Sequence, residues 1–194
     1  MYITFDAIVE SLNFNVKGVI HVGAHLGEEV PSYQRFTNNI HVFEPLKDCL
    51  DKITDSVNKY NYALGDVEEE KIFYLADNNQ SSSLLKPKLH IDMHPTVQFV
   101  GEKKMQIKTL DSFNIIDSNF LNMDVQGYEL NVLKGATNTL KYIDAIYTEI
   151  NLAELYENNV LLAEMDSWLK ERGFERVWQH ITPHSWGDAL YVRK

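Results

Sequence analysis

Cysteine is almost missing from this chain: Cys49 is the only one in 194 residues. No internal disulfide can form, and the chain suits a reducing, cytoplasmic compartment. Cys49 falls on the apolar face of Leu46, Leu50, Ile53 and Val57, where a buried, inert thiol is expected. No hydrophobic run reaches the length of a membrane span. The opening Met1-Tyr2-Ile3-Thr4-Phe5-Asp6 lacks the basic-then-apolar order of a secretion signal. Basic residues are scarce too: 18 Lys and Arg against 28 Asp and Glu leave a net charge of -10. Affinity for a polyphosphate backbone comes mostly from Lys and Arg, so no nucleic-acid partner is expected. Repeats, low-complexity tracts and linkers are absent, and a single domain over 1–194 is the simplest count.

What is present is an alternation of apolar strands and amphipathic stretches. Phe5, Ile8, Val9 and Leu12 have helical spacing, so residues 1–17 read as an N-terminal packing helix. A β-branched strand ending at Val22 follows, then a helix from about Glu28 to Phe36 and a second strand from Ile40 to Glu44. Leu46 to Val57 repeats at helical spacing, and Tyr60 to Asp66 reads as a third strand ending in a turn. Lys71–Leu75 and Met105–Leu110 look like added strands around an irregular insert, 77–104. Asn119–Asp124 and Ile143–Ile150 are further core strands. Between them lies a helix carrying Leu130, Leu133 and Leu140. An amphipathic helix over Leu161–Leu169 stops at Gly173, and Phe174–Gln179 with Ala189–Arg193 fit a closing antiparallel pair. This β-α-β order predicts an α/β, three-layer, Rossmann-like fold with a mostly parallel central sheet.

The organising stretch is Gly18-Val19-Ile20-His21-Val22-Gly23-Ala24-His25-Leu26-Gly27-Glu28-Glu29. It reads as a strand, a glycine turn and a helix start, the unit that brings backbone close to a nucleotide-like ligand. Glu44 closes the next strand 21 positions after Gly23, placed to accept hydrogen bonds from a ribose diol. A dinucleotide turn would carry glycine where this chain has His25, and no phosphate-binding G-K-[ST] occurs. Glu28 and Glu29 at the helix start are poor company for phosphate but suit the helix dipole. A ligand with adenosine, a positive centre, an ammonium group and no phosphate fits better. S-adenosylmethionine is such a ligand. His90 and His94 are four apart around Asp92, but Pro95 follows and no third ligand is local, so no metal is assigned.

Several stretches together are similar to the FkbM-type branch of the class I methyltransferases. They are Val22-Gly23-Ala24-His25-Leu26-Gly27, Phe43-Glu44-Pro45, Ala63-Leu64-Gly65-Asp66, Ser81-Ser82-Ser83-Leu84 and Thr109-Leu110-Asp111. The most specific are Met123-Asp124-Val125-Gln126-Gly127-Tyr128-Glu129 and Val132-Leu133-Lys134-Gly135-Ala136. The family often has Asp where this chain has His21, which passes the ammonium contact to Glu28 or Glu29. The resemblance implies a cofactor site of His21, Gly23, Ala24, His25, Gly27, Glu29, Glu44, Pro45, Ala63, Leu64 and Ser82, with Asp124 beside it. Asp124, ending its strand at the ligand crevice, either takes the acceptor's proton or orients the cofactor's ammonium. Glu149, at the next strand tip, shares that task, helps hold a metal or is an edge carboxylate. His180 is a further catalytic candidate from the closing hairpin. Tyr128, Asn151, Trp186 and Asp188 are candidates for the acceptor pocket.

The resemblance implies an O-methyltransferase acting on a carbohydrate or other small-molecule hydroxyl, a sugar before all. RNA 2′-O-methylation is the rival within enzymes, set back by the missing basic groove. A cofactor-binding module without turnover is the rival outside them, set back by Asp124 and Glu44. An NAD-dependent oxidoreductase is disfavoured by His25.

Overall fold

The structure, a computed structural model, describes residues 3–194, so Met1 and Tyr2 of the expected packing segment lie outside the described residues. α1 (Phe5–Leu12) starts where the Thr4 hydroxyl accepts the Ala7 N–H and ends at Asn13 in the left-handed region. Then come β1 (Val19–Val22), α2 (Val30–Tyr33), β2 (Ile40–Phe43), α3 (Lys47–Leu50) and β3 (Asn58–Tyr60). β4 (Ala63–Leu64), β5 (Glu69–Ala76), α4 (His90–Met93) and β6 (Phe99–Lys108) build a side structure. β7 (Phe120–Met123), α5 (Glu129–Lys134), β8 (Ala145–Asn151), α6 (Leu162–Lys170), β9 (Phe174–Ile181) and β10 (Trp186–Arg193) complete the chain.

The main sheet has the order β3-β2-β1-β7-β8-β10-β9, parallel through β8 and antiparallel at β10 and β9. The expected fold class and closing hairpin are both present. Side chains alternate across this sheet. Ile20, Leu121, Ile146 and Ala189 meet α5 and α6 on one face. Val19, Phe120, Ala145 and Leu190 meet α1 and α2 on the other. On that second face each inner strand turns polar toward its tip: His21 on β1, Asn122 on β7, Tyr147 and Glu149 on β8, Asp188 and Trp186 on β10. Tyr33 of α2 reaches over His21 and Asn122, and the cleft described below opens beside it at these tips.

Three expectations change. The stretch Tyr60–Asp66 is not one strand. The Asn61 side-chain amide donates to the Glu44 and Pro45 carbonyls at 2.9 and 3.0 Å, replacing ladder bonds, so the chain leaves the sheet after β3. It re-enters as β4, parallel to β6 in a second, three-stranded sheet β4-β6-β5. The irregular insert is shorter than 77–104, because β6 begins at Phe99 and pairs along the length of β5. The helices expected over 28–36 and 46–57 shrink to single turns. Near the second, Thr54 Oγ1 bonds the Ser56 hydroxyl and backbone, local bonds that compete with helix. Ile53 and Val57 are buried nonetheless, as is Cys49.

Candidate active site

β1 and β7 are neighbours at the point where the strand order reverses, and a cleft of about 790 Å³ opens over their carboxyl ends. Gly23 is what lets the two tips close. It takes φ +80°, and a Cβ there would stand 1.9 Å from the Asp124 carbonyl oxygen. His25 follows in the left-handed region at φ 46°, a conformation that costs a non-glycine residue of order 1 kcal/mol. Two bonds hold it: its N–H donates to Glu44 Oε2 at 2.8 Å, and its Nδ1 lies 2.9 Å from Glu28 Oε1. Glu44 Oε1 accepts the Leu46 N–H at 2.7 Å. The Glu44 carboxyl is thus fixed at the tip of β2 with one lone pair on each oxygen still open. Burial pushes it up to about 7, against the pull of the two N–H groups.

His21 is buried beneath this turn. Its Nδ1 is 3.5 Å from the Tyr33 hydroxyl, which accepts the Asn122 amide at 2.6 Å. Burial lowers the His21 pKa, so the ring is neutral, and half-exposed Glu29 stands 4.0 Å from its Nδ1. Glu28 is committed to His25 and to the Leu26 N–H, so Glu29 is the acidic side chain left facing the cleft. Removing the hydroxyl of Tyr33 strands His21 and Asn122. Tyr33→Phe is therefore expected to cost about 1–3 kcal/mol in urea denaturation. Stability equal to the parent would show that this buried chain is not holding the strand tips.

Three carboxyl groups gather at the tips of β7 and β8. Oxygens of Asp124, Glu129 and Glu149 lie within 4.8 Å of one another. Glu129 is fully buried, and its Oε1 accepts the Val125 and Gly127 N–H groups at 3.1 Å each, which shapes the loop after β7. Burial pushes Glu129 up to about 7. Glu149 rises well above the usual range, first from burial, then from Asp124 beside it, with which it shares a hydrogen bond. The Gln126 amide spans the pair, donating to Asp124 Oδ1 at 2.6 Å and Glu149 Oε2 at 2.7 Å. Gln126 itself is left-handed at φ 55° and is braced by Tyr156, whose hydroxyl lies 2.8 Å from Oε1. An oxygen set of this kind suits a hard cation, but here the amide NH₂ lies on two of its members.

Most of the sequence candidates line the cleft. The turn supplies His21, Gly23, Ala24, His25 and Glu29, and β2 supplies Glu44 and Pro45. Ala63, Leu64 and Ser82 face it from the second sheet and the insert, while Asp124, Glu149, Trp186 and Asp188 form the far wall. Four candidates are not brought to that wall. Gly27, at φ +75°, packs behind the turn, where a Cβ would meet Ile53 at 3.0 Å. Tyr128 belongs to the core beside the second sheet, its hydroxyl accepting from Lys71 at 3.0 Å. Asn151 is buried and donates to Glu149 Oε1 at 3.3 Å, which makes it a brace for that carboxyl. His180 sits on β9 opposite Asp188, one strand beyond the lining. The fold sets His94 5.0 Å from the His184 ring. Even so, among the described residues only the carboxyl trio has ligand atoms at metal spacing.

Comparison with known proteins agrees with this geometry. The family model described as the methyltransferase FkbM domain matches residues 21–176. The chain belongs to the FkbM methyltransferase family. Hexuronic acid methyltransferase AglP of Haloferax volcanii is 29% identical over 119 residues, 58% of this chain and 47% of that protein. The 2-O-methyltransferase NoeI of Sinorhizobium fredii is 34% identical over 86 residues, 42% of this chain and 35% of that protein. The matches thus span less than half of each relative's length. Among solved structures, the FkbM methyltransferase from Methylobacillus flagellatus KT has a TM-score of 0.61 at 14% identity, covering 92% of this chain and 44% of its own. The magnesium protoporphyrin IX methyltransferase of Synechocystis PCC 6803 with bound S-adenosylmethionine has a TM-score of 0.54 at 10% identity, covering 97% and 77%. At these identities the likeness is one of fold.

The FkbM cleft fits the S-adenosylmethionine on which the family depends. A Cβ would fill the cradle at Gly23, Glu44 keeps an open acceptor site on each oxygen, and among the described residues neither Lys nor Arg is in the lining to meet a phosphate. Sequence reading missed Gln126, Glu129, Tyr33 and Tyr156 as parts of the site. Gln126 and Glu129 were inside the Asp124 motif, where their offsets of two and five from Asp124 carried the signal. Tyr33 and Tyr156 arrive from other elements, and nothing in their local sequence marks them.

Proposed function

We propose that this chain transfers a methyl group from S-adenosylmethionine to a sugar hydroxyl, in a glycan or a glycosylated small molecule. The observation that carries the reading is Asp124 at the tip of β7, beside the buried Glu149 and pinned together with it by the Gln126 amide. The two relatives act, by their names, on a hexuronic acid and at a 2-O position, which supports a sugar acceptor.

Bound in the cleft, the cofactor supplies an electrophilic methyl group on a sulfonium. Glu44 accepts its ribose hydroxyls through the open lone pairs, Ala63 and Leu64 flank the adenine, and Glu29 meets the ammonium. Asp124 accepts the proton of the attacking hydroxyl, which raises the nucleophilicity of a weak oxygen nucleophile. Glu149 keeps its proton and leaves the negative charge of the pair on Asp124. Gln126 holds both carboxyls in one orientation, so that aligning the acceptor is the remaining task.

Calorimetric titration with S-adenosylhomocysteine tests the reading, and no detectable heat would remove it. Glu44→Gln keeps the shape but places an NH₂ against the N–H of His25 or Leu46, two donors face to face. Binding of S-adenosylhomocysteine is expected to weaken by about 10- to 100-fold. Undiminished affinity would detach Glu44 from the ribose.

A further inference from the structure

Two buried polar atoms on β10 have no hydrogen-bond partner, Trp186 Nε1 and Asp188 Oδ2, and their residues line the cleft. Their residues stand two apart on one strand, so both side chains leave the same face. The register puts Trp186 opposite Asn151 and Asp188 opposite Glu149, next to the carboxyl pair at the reaction centre. The indole nitrogen is only a donor, and an ionised carboxylate only an acceptor. A buried group of either kind left unbonded is costly, and a native structure that keeps both needs a ligand or water to answer them. A hydroxyl has both capacities, accepting from a donor such as the indole while donating to a carboxyl oxygen. The Tyr147 hydroxyl bonds to the Asp188 carboxyl and fixes its orientation.

The charge of the cleft narrows the acceptor further. Glu28, Glu29, Glu44, Asp124, Glu149 and Asp188 line it, and among the described residues neither Lys nor Arg does. Burial lowers His21, His90 and His94 from the ordinary imidazole value, and the His25 ring is already engaged by Glu28 at 2.9 Å, so none of these rings is left as a free cation for the acceptor. A carboxylate or phosphate on the acceptor would enter without a cation to pair it, beside carboxyls that burial already keeps from ionising readily, whereas a neutral ring or an ammonium would not suffer this.

We propose that the acceptor is an uncharged or amino sugar, held by one ring hydroxyl between Trp186 Nε1 and Asp188 Oδ2, and that acidic sugars are rejected. This rests on the sugar-hydroxyl reading given above.

The test uses matched methyl glycosides in several ring configurations, each as the neutral hexoside, the 2-amino form and the hexuronide, with labelled S-adenosylmethionine. The neutral or amino form is expected to exceed the hexuronide by about 100-fold or more in kcat/KM. Trp186→Phe keeps an aromatic ring and removes the N–H. It is expected to raise KM for the sugar about 10-fold with kcat within about three-fold, S-adenosylhomocysteine affinity reporting an intact fold. Hexuronides methylated as well as their neutral partners would overturn the charge rule and leave the sugar reading standing. An unchanged KM in Trp186→Phe would overturn the hydroxyl contact. Cofactor binding with no sugar of any class methylated would sink the sugar reading, and this inference with it.

Discussion

Asp124→Asn is expected to lose about 100- to 10,000-fold in kcat while binding S-adenosylhomocysteine within a few-fold of the parent. The substitution preserves volume, and the new amide can still accept from Gln126 through its oxygen, so the tip of β7 keeps its shape. It loses the ability to take a proton. Glu149 is a poor substitute, because burial and the neighbouring carboxyls keep it protonated. The competing role for Asp124 is to orient the cofactor's ammonium, and the two roles separate cleanly. An orienter lost to Asn would weaken S-adenosylhomocysteine binding by about 10-fold or more and leave turnover at saturation nearly intact. The pH profile adds a second readout: the limb that depends on an ionised base should disappear in the variant. Glu149→Gln belongs beside it. That variant retains a donor toward Asp124 but carries no proton to exchange, so its smaller loss would mark Glu149 as a positioning residue.

The parts of this site that were legible in the sequence are those where backbone geometry demands a residue type. Gly23 must be glycine because the Asp124 carbonyl lies 1.9 Å from where a Cβ would be. Glu44 closes a strand at a fixed offset from that turn, and Asp124 closes the strand that pairs with it. Strand tips converge in a parallel sheet, so a carboxylate at a tip can be placed without knowing the rest of the fold. What the sequence hid depends on tertiary partners. Tyr128 and Trp186 are both aromatic residues near strand tips. Only the packing of Lys71 and Gly65 sends Tyr128 into the core, while Trp186 reaches the cleft. β6 was half missed because Val100 to Lys104 are exposed and mostly charged, and backbone pairing with β5 rather than periodicity makes the strand. The polar atoms on one sheet face were each visible, but their common face follows from register, which the sequence does not state.

The buried carboxyls of the cleft should pull stability down as pH rises from about 5 to about 7, opposite to the usual contribution of paired carboxylates. Burial pushes Glu44, Glu129 and Asp188 each up to about 7, and with the neighbouring carboxyls it holds Glu149 well above the usual carboxylate range. In an unfolded chain the same groups titrate near 4 to 4.5. Across that window the native state therefore keeps protons that the unfolded state has released, and unfolding gives protons up. The slope of unfolding free energy with pH is then negative, about 1.4 kcal/mol per pH unit for each carboxyl so placed. With several acting together, these carboxyls remove about 3 kcal/mol or more between pH 5 and pH 7 in the ligand-free protein. His21, His41, His90 and His94, which burial holds below their ordinary value, act in the opposite sense, so the carboxyl part is read from urea denaturation of the parent against its Gln variants. The carboxyls held low, Glu28 and Asp166, stay ionised in both states across the window and do not offset the loss. Glu129→Gln and Glu149→Gln should each flatten the slope. A pH dependence identical in the parent and in both variants would mean that these groups are ionised in the folded chain. Saturating S-adenosylhomocysteine supplies an ammonium beside Glu29 and hydroxyl donors at Glu44, and donors to a carboxylate favour its charged form. The liganded protein should therefore lose less stability over the same range, and Glu44→Gln should abolish part of that difference.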